Sequence, residues 1–434
     1  MLEEFDHSHQ AVIVGILRKG DTVQGLNLSL DELERLLDTL GYEVVARLIQ
    51  YKEVKTAKYK IGKGKVEELH ALLESSGAKL VVFDEDLSPT QARNLQEKLK
   101  LDITDRCGVI LDIFSDHART HEAKLQVQLA KLEYGLSRLK RQWTHLHRQK
   151  GGHGLRGGEG ETQLEVDRRM ARKSMQVIRE KLKKIQQQRE VQKRGRARFF
   201  KVAIVGYTNS GKSTLLNRMC EAEVLVQDKL FATLDPTTRI IKPEEKPSIL
   251  FSDTVGFIKK LPHQLVASFR STFEQIQDAD LLLHVVDVSD PEFKERIKDT
   301  QVVLKDLELD AIPRQLVLNK IDKIPKNSLQ LKLTQSVYPE AILISARDDL
   351  GIEDLKNKIY SRFEDQLSEK TIEVSLGCES ILEEIYELTK VVHSHYENDR
   401  IVMSFRGATR DINHLVDLLA KNNALLECRD GLVE

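Results

Sequence analysis

Cysteine is scarce in this chain of 434 residues: Cys107, Cys220, Cys378 and Cys428 are all four of them. None sits in a CxxC pair, which excludes a zinc knuckle or a dithiol redox motif. Scattered thiols fit a reducing compartment better than a disulfide framework. Long apolar runs are missing too, and nothing nears the ~20 residues that span a bilayer. The first residues, MLEEFDHSHQ, are acidic and polar, unlike a secretory leader. These absences predict a cytoplasmic protein without a transmembrane segment and leave weak peripheral membrane association open. Net charge is also lacking: 67 Lys and Arg face 68 Asp and Glu, although charged residues make up 31%. Such a balance can hide opposed regions, so charge is read segment by segment.

The pattern predicts an α/β multidomain chain. Residues 1–118 read as an open α/β domain. AVIVGIL (Ala11–Leu17) is a short buried-strand run. SLDELERLLDTL (Ser29–Leu40) has a candidate Ser cap, a Glu three residues on and leucines at helical spacing. SPTQARNLQEKL (Ser88–Leu99) repeats the cap, with Pro just inside. Alternating strands and helices favour a largely parallel sheet.

Residues 119–194 read as a helical hairpin. Leu125, Leu129, Leu132, Leu136, Leu139, Trp143 and Leu146 fall at steps of four and three, as do Ala171, Met175, Ile178, Leu182 and Ile185. The glycine-rich GGHGLRGGEGE (Gly151–Glu161) joins them. From Arg168 to Arg198 only Glu180 and Glu190 oppose a dense run of Lys and Arg. That density suits phosphate contacts, and binding through it should weaken with salt. Candidate RNA contacts are Arg148, Lys150, His153, Arg156, Arg168 and Arg169. The bland alternative is an ordinary charged helix face. His117 and His121, four apart, would share a helix face, but no third metal ligand is near in sequence.

Residues 199–365 read as a doubly wound, P-loop nucleotide domain. GYTNSGKS runs from Gly206 through Tyr207, Thr208, Asn209, Ser210, Gly211 and Lys212 to Ser213, after a strand run and before a helical run that opens with Thr214. Its backbone N–H groups would cradle phosphates, Lys212 would reach the β- and γ-phosphates, and the Ser213 hydroxyl would ligate Mg²⁺. DTVG supplies Asp253 for the metal, Thr254 and Val255 beside it, and the Gly256 N–H for the γ-phosphate. NKID supplies Asn319, Lys320 and Asp322; the last can accept from guanine N1–H and the exocyclic amine, a donor pair that adenine lacks. SAR (Ser345, Ala346, Arg347) offers the Ala346 N–H to the guanine carbonyl. Within LFATLDPTTR, Thr233 is the candidate mobile metal ligand, with Thr237 as runner-up. Phe257 stands where many GTPases carry a water-orienting glutamine. The catalytic set is thus Lys212, Thr233, Gly256 and Phe257. Residues 371–434 read as a small α+β domain of two strands and two helices without a chemical motif.

With these residues placed, the chain resembles the HflX GTPases of the Obg–HflX group. The specific signals are YKIGKGKVEEL, VVFDEDLSPTQARNL, DRCGVILDIFSDHARTHEAKLQVQLAKLEY and GGHGLRGGEGETQLEVDRR, joined by FATLDPT and DTVGFI. His153 and Leu155 depart from a loop that is usually richer in glycine. The resemblance implies a stress-linked GTPase, monomeric off the ribosome, that binds the large ribosomal subunit and splits or rescues stalled ribosomes, with hydrolysis stimulated there. It also implies that the hairpin tip reaches ribosomal RNA. Two other readings stay open: a GTP-switched ribosome-assembly factor, and an NTP-dependent RNA-remodelling protein. GTP and Mg²⁺ are the expected cofactors, and Asn209 raises potassium as a third.

Overall fold

The computed structural model describes residues 9–51, 58–139, 163–193, 200–220, 238–241, 249–254, 256–258, 276–325, 328–364, 366–375, 379–397, 400–422 and 424–431. They fall into two compact units. The first runs to residue 188 and takes in 256–258; the second comprises the rest.

In the first unit, β1 (Gln10–Ile16), β2 (Glu43–Gln50), β3 (Leu80–Phe83) and β4 (Asp102–Asp105) form a wholly parallel sheet in the order β2-β1-β3-β4. The crossovers are α1 (Val23–Thr39), α2 (Lys63–Ser76) and α3 (Pro89–Leu99). Val12, Val14, Val81 and Phe83 pack on Val66, Leu69, Ala92 and Leu95. The expected Ser88 cap of α3 is present, and Gln91 makes it a full capping box: Gln91 N donates to Ser88 Oγ, and Ser88 N to Gln91 Oε1. The expected cap of α1 is not. Thr22 caps that helix, accepting from Gly25 N at 3.0 Å. Ser29 lies inside α1, where its hydroxyl donates to Asp84 Oδ2 at 2.8 Å.

Helix α4 (Arg106–His117) follows β4 directly, and α5 (His121–Leu139) begins the hairpin. His117 ends one helix and His121 opens the next, so the shared face expected of them is corrected. Among the described residues no cluster of three or more His, Cys, Asp or Glu could hold a metal. Helix α6 (Gln163–Lys193) returns along α5. Leu125, Leu129, Met175 and Ile178 form the buried seam, flanked by Leu132, Leu136, Leu182 and Ile185. Trp143 and Leu146 lie outside the described residues.

In the second unit, β5 (Phe200–Val205), β6 (Thr238–Ile241), β7 (Ile249–Asp253), β8 (Leu281–Asp287), β9 (Arg314–Asn319) and β10 (Ile342–Leu343) make one sheet in the order β10-β9-β8-β5-β7-β6. All pairs are parallel except β6 with β7. Around it lie α7 (Lys212–Cys220), α8 (Phe293–Asp306), α9 (Leu329–Val337) and α10 (Ile352–Glu364). The carboxyl ends of β5, β7, β8 and β9 are where such a sheet binds ligands.

The carboxy-terminal part is richer in strands than expected. β11 (Leu367–Ser375), β12 (Lys390–Glu397), β13 (Arg400–Ala408) and β14 (Leu425–Asp430) form an antiparallel sheet in the order β12-β13-β11-β14, with α11 (Glu379–Leu388) and α12 (Thr409–Lys421). Helix α11 stops at Leu388, and Thr389 turns its hydroxyl back to Ile385 O. The β-branched Val391 and Val392 then enter a strand, as their stiff side chains favour. This domain docks on the start of β5: Arg410 lies over the Phe200 ring, which stacks on Phe363 with centroids 4.5 Å apart. That end of β5 is remote from the loop that follows its carboxyl end.

Candidate nucleotide site

The loop after β5 is shaped by two glycines that nothing else can replace. Gly206 has φ +151°, and a Cβ there would sit 2.2 Å from Val285 O. Gly211 has φ +91°, and its Cβ would meet Asn319 Nδ2 at 2.2 Å. Both conformations favour glycine, and both let backbone approach where a side chain would fill the space. The loop then runs into the amino terminus of α7, and a helix amino terminus favours anions.

Lys212 is buried, and its Nζ donates to Tyr207 O at 2.7 Å. Burial pushes its pKa down to about 8, opposed by Asp253 and reinforced by nearby Lys320. A desolvated ammonium lacking an anionic partner in contact is the state that a phosphate would relieve. Ser210 Oγ is buried without a hydrogen-bond partner. Ser213 Oγ donates to Asp253 Oδ2 at 2.6 Å, so a hydroxyl and a carboxylate oxygen converge at the loop. Such hard oxygen donors suit Mg²⁺, which keeps several waters and takes phosphate oxygens besides one or two protein ligands. The cradle, the buried lysine and this oxygen pair fit a magnesium-bound nucleoside triphosphate.

The guanine-side residues form a brace. Asn319, 2% exposed, donates through Nδ2 to Ser210 O at 2.9 Å and accepts from Ala346 N at 3.0 Å. Ser345 Oγ donates to Asp322 Oδ1 at 2.7 Å. The Ala346 N–H expected on the guanine carbonyl is therefore engaged by Asn319, and Asn319 itself holds loops together. Lys320 Nζ donates to Asn209 O at 2.6 Å and lies 3.4 Å from Asn209 Oδ1. Thr254, expected among the nucleotide contacts, is turned inward instead: its Oγ1 donates to Ile204 O at 2.7 Å. Gly256 and Phe257 belong to the first unit, and the Phe257 ring is 1% exposed. Arg168 and Arg169 lie on α6, half-buried and exposed respectively. Thr233, Thr237, Val255, Arg148, Lys150, His153 and Arg156 lie outside the described residues.

Sequence reasoning missed three supports. Asp287, closing β8, pairs with Lys320 Nζ at 2.9 Å. Arg218 on α7 donates to Ala346 O and Arg347 O at 3.2 and 3.0 Å. Tyr207 donates to Asp299 Oδ2 at 3.1 Å, and the Arg296 guanidinium lies 4.3 Å from its ring centroid. The aromatic residue inside a phosphate loop was the one available signal.

Comparison with known proteins agrees. Family models match for a GTP-binding GTPase N-terminal region over residues 27–115, a GTP-binding GTPase middle region over 117–196, and a 50S ribosome-binding GTPase over 201–320. The GTPase HflX of Escherichia coli (strain K12) is 40% identical over 401 residues, covering 92% of this chain and 93% of that protein. This chain belongs to the HflX family. The GTPase HflX of Magnetococcus marinus is 44% identical over 363 residues, 83% of each chain. A GTP-binding protein from the hyperthermophilic archaeon Sulfolobus solfataricus, solved with GDP, is 24% identical with a TM-score of 0.43, covering 81% of this chain and 98% of that one. As an HflX GTPase, this protein binds GTP and hydrolyses it. No helix among its described residues is long and apolar enough to cross a membrane.

Proposed function

We propose that this HflX GTPase binds the large ribosomal subunit and splits or rescues stalled ribosomes, with GTP hydrolysis stimulated by the ribosome. The observation that carries the reading is that one chain holds both a nucleotide site and a basic helical arm. Helix α6 exposes Arg169, Arg172, Lys173, Lys181, Lys183 and Lys184 while burying Met175 and Ile178 on α5. One face thus packs and the rest offers cations to RNA phosphates.

Lys212 would neutralise charge on the β- and γ-phosphates, Ser213 and Asp253 would hold Mg²⁺, and Asp322 would read guanine. When bound, Mg²⁺ would supply positive charge against the phosphate oxygens. Thr233 is the candidate that would add a further hydroxyl ligand to that metal. Phe257 has no group to orient water, so hydrolysis is slow until RNA or a ribosomal protein completes the site. Asn209, exposed and at φ +58°, is the residue that would direct its side-chain oxygen to a potassium ion. Equal turnover in NaCl and KCl, with and without ribosomes, would count against that ion. Off the ribosome the protein is monomeric and cytoplasmic.

Adding large subunits should raise GTP turnover well above the rate of the free protein, and sucrose gradients should show whole ribosomes converted to subunits. Unchanged turnover sinks the reading. Association with immature particles alone would favour an assembly factor. ATP competing on equal terms with GTP would favour an RNA-remodelling protein, and Asp322 argues against it.

A further inference from the structure

The amino-terminal sheet ends, at β3 and β4, in a group of carboxylates. Open α/β folds bind ligands at such strand ends. Here the space holds the domain's own side chains. Arg106, 2% exposed, pairs with Asp84 and Glu32, and its Nη1 lies 3.3 Å from both Ser29 O and Ser29 Oγ. The preceding residue, Asp105, is 1% exposed. Its Oδ2 accepts from Leu87 N at 3.0 Å; its Oδ1 accepts from Gly108 N at 3.1 Å and from the Tyr134 hydroxyl at 2.7 Å. Tyr134 comes from α5, the first helix of the arm.

Helix α5 has two buried faces. Leu125 and Leu129 meet α6. Ala123, Val127 and Ala130 are also buried, and with Tyr134 they recur at steps of four, three and four, which places them on one side of the helix. That side carries the bond to Asp105, and α5 packs on α3 and α4. Lys131 Nζ adds a 2.9 Å pair to Asp112 of α4, while Glu133 takes Arg179 of α6 at 2.8 Å. A Cβ on Gly108 would lie 2.2 Å from Thr104 Oγ1 and 3.1 Å from the Tyr134 hydroxyl, so the joint is closely fitted.

We propose that Tyr134 is a positioning residue: with Asp105 it fixes the direction of the basic arm, and the α/β domain serves as the arm's mount. The proposal rests on the reading of that arm as an RNA contact. Lever length makes direction matter. The 31 residues of α6 span about 46 Å, so a tilt of about 10° at one end moves the other by about 8 Å, far beyond hydrogen-bond reach.

The test uses the full chain with Tyr134→Phe, which keeps the ring and deletes the hydroxyl. Turnover without ribosomes should be unchanged. The concentration of large subunits giving half-maximal stimulation should rise roughly three- to tenfold, with the saturated rate kept. Amide hydrogen exchange should quicken in α4 and α5. A half-maximal concentration within about twofold of the parent overturns the proposal, whatever the melting temperature does. Lys131→Gln, at the exposed rim of the same joint, should give a smaller rise in the same direction, and it decides alone if the first variant does not fold. If large subunits do not stimulate even the parent, the ribosome reading fails instead. Exchange in α5 then tests the mount, and no change there overturns it.

Discussion

Two sets of buried charges sit at carboxyl strand ends in this molecule, and they differ in what satisfies them. Arg106 is surrounded by its own carboxylates, Asp84 and Glu32. Lys212 is also buried but has a backbone carbonyl as its hydrogen-bond acceptor, in a loop that two glycines keep open. A buried charge with internal counter-ions is architecture; one aimed into a cradle awaits an anion. Two substitutions should therefore behave in opposite ways. Arg106→Met leaves Asp84 and Glu32 buried without their partner and should cost about 3–5 kcal/mol of stability, read by denaturant unfolding, with GTP affinity unchanged. Lys212→Ala removes a desolvated cation and should leave stability unchanged or slightly higher. It should weaken GTP binding by about 3–5 kcal/mol, as expected for losing two contacts to charged groups. Equal loss of stability in both would break the comparison.

Phe257 belongs on the architectural side as well. Read from sequence it is a missing catalyst, so Phe257→Ala should change turnover more than binding. Its burial alters that test, because emptying a site of this size costs about 3 kcal/mol or more. Phe257→Leu keeps most of the volume and should cost under about 1.5 kcal/mol. If the leucine variant keeps its fold and GTP affinity yet hydrolyses at an altered rate on ribosomes, the residue acts in turnover.

A third buried group, His284 on β8, is satisfied by neither route. Its Nε2 is buried without a hydrogen-bond partner, and burial, aided by Arg314, pushes its pKa down to about 4. The unfolded chain, with an ordinary value near 6.5, binds the proton more readily. Its stabilising contribution is therefore full above pH ~6.5 and lost as pH falls toward ~4. Between pH 7 and 5 the nucleotide domain should lose about 2 kcal/mol from this residue. His284→Leu should remove that slope, as read by calorimetry at the two pH values.

The nucleotide motifs were legible because each is a local pattern at a strand end, dictated by chemistry that few other residues can supply. The hairpin seam was legible because leucines at steps of four and three repeat over many turns. What stayed hidden was whatever long sequence separations bring together. Arg106 meets Glu32 74 positions away, and no spacing rule links them. The second face of α5 was invisible for another reason: Ala123, Val127 and Ala130 are too small to stand out beside the leucine seam. The strand β12 was missed because Val391 and Val392 follow helical residues without a proline or glycine between. Asn319 and Ala346 were identified as site residues, but their mutual bond is a tertiary fact.

Tyr207 tests the boundary between the two kinds of cluster with the smallest effect. It lies within the phosphate loop, yet its hydroxyl and ring are held from α8 by Asp299 and Arg296. Arg296 is in turn held by Asp290 at 3.4 Å. Tyr207→Phe deletes one hydrogen bond and keeps the ring under the guanidinium. If the bond prebuilds the loop for phosphate, the loss of about 1 kcal/mol should appear as roughly fivefold weaker GTP binding, measured by calorimetry, with little change in melting temperature. Tyr207→Ala also removes the cation–π contact and should add about 0.5–1 kcal/mol to that loss. The same energy appearing in stability, with nucleotide affinity kept, would place Tyr207 with Arg106 as architecture. The site proper would then begin at the carbonyl of Tyr207, where Lys212 is bound.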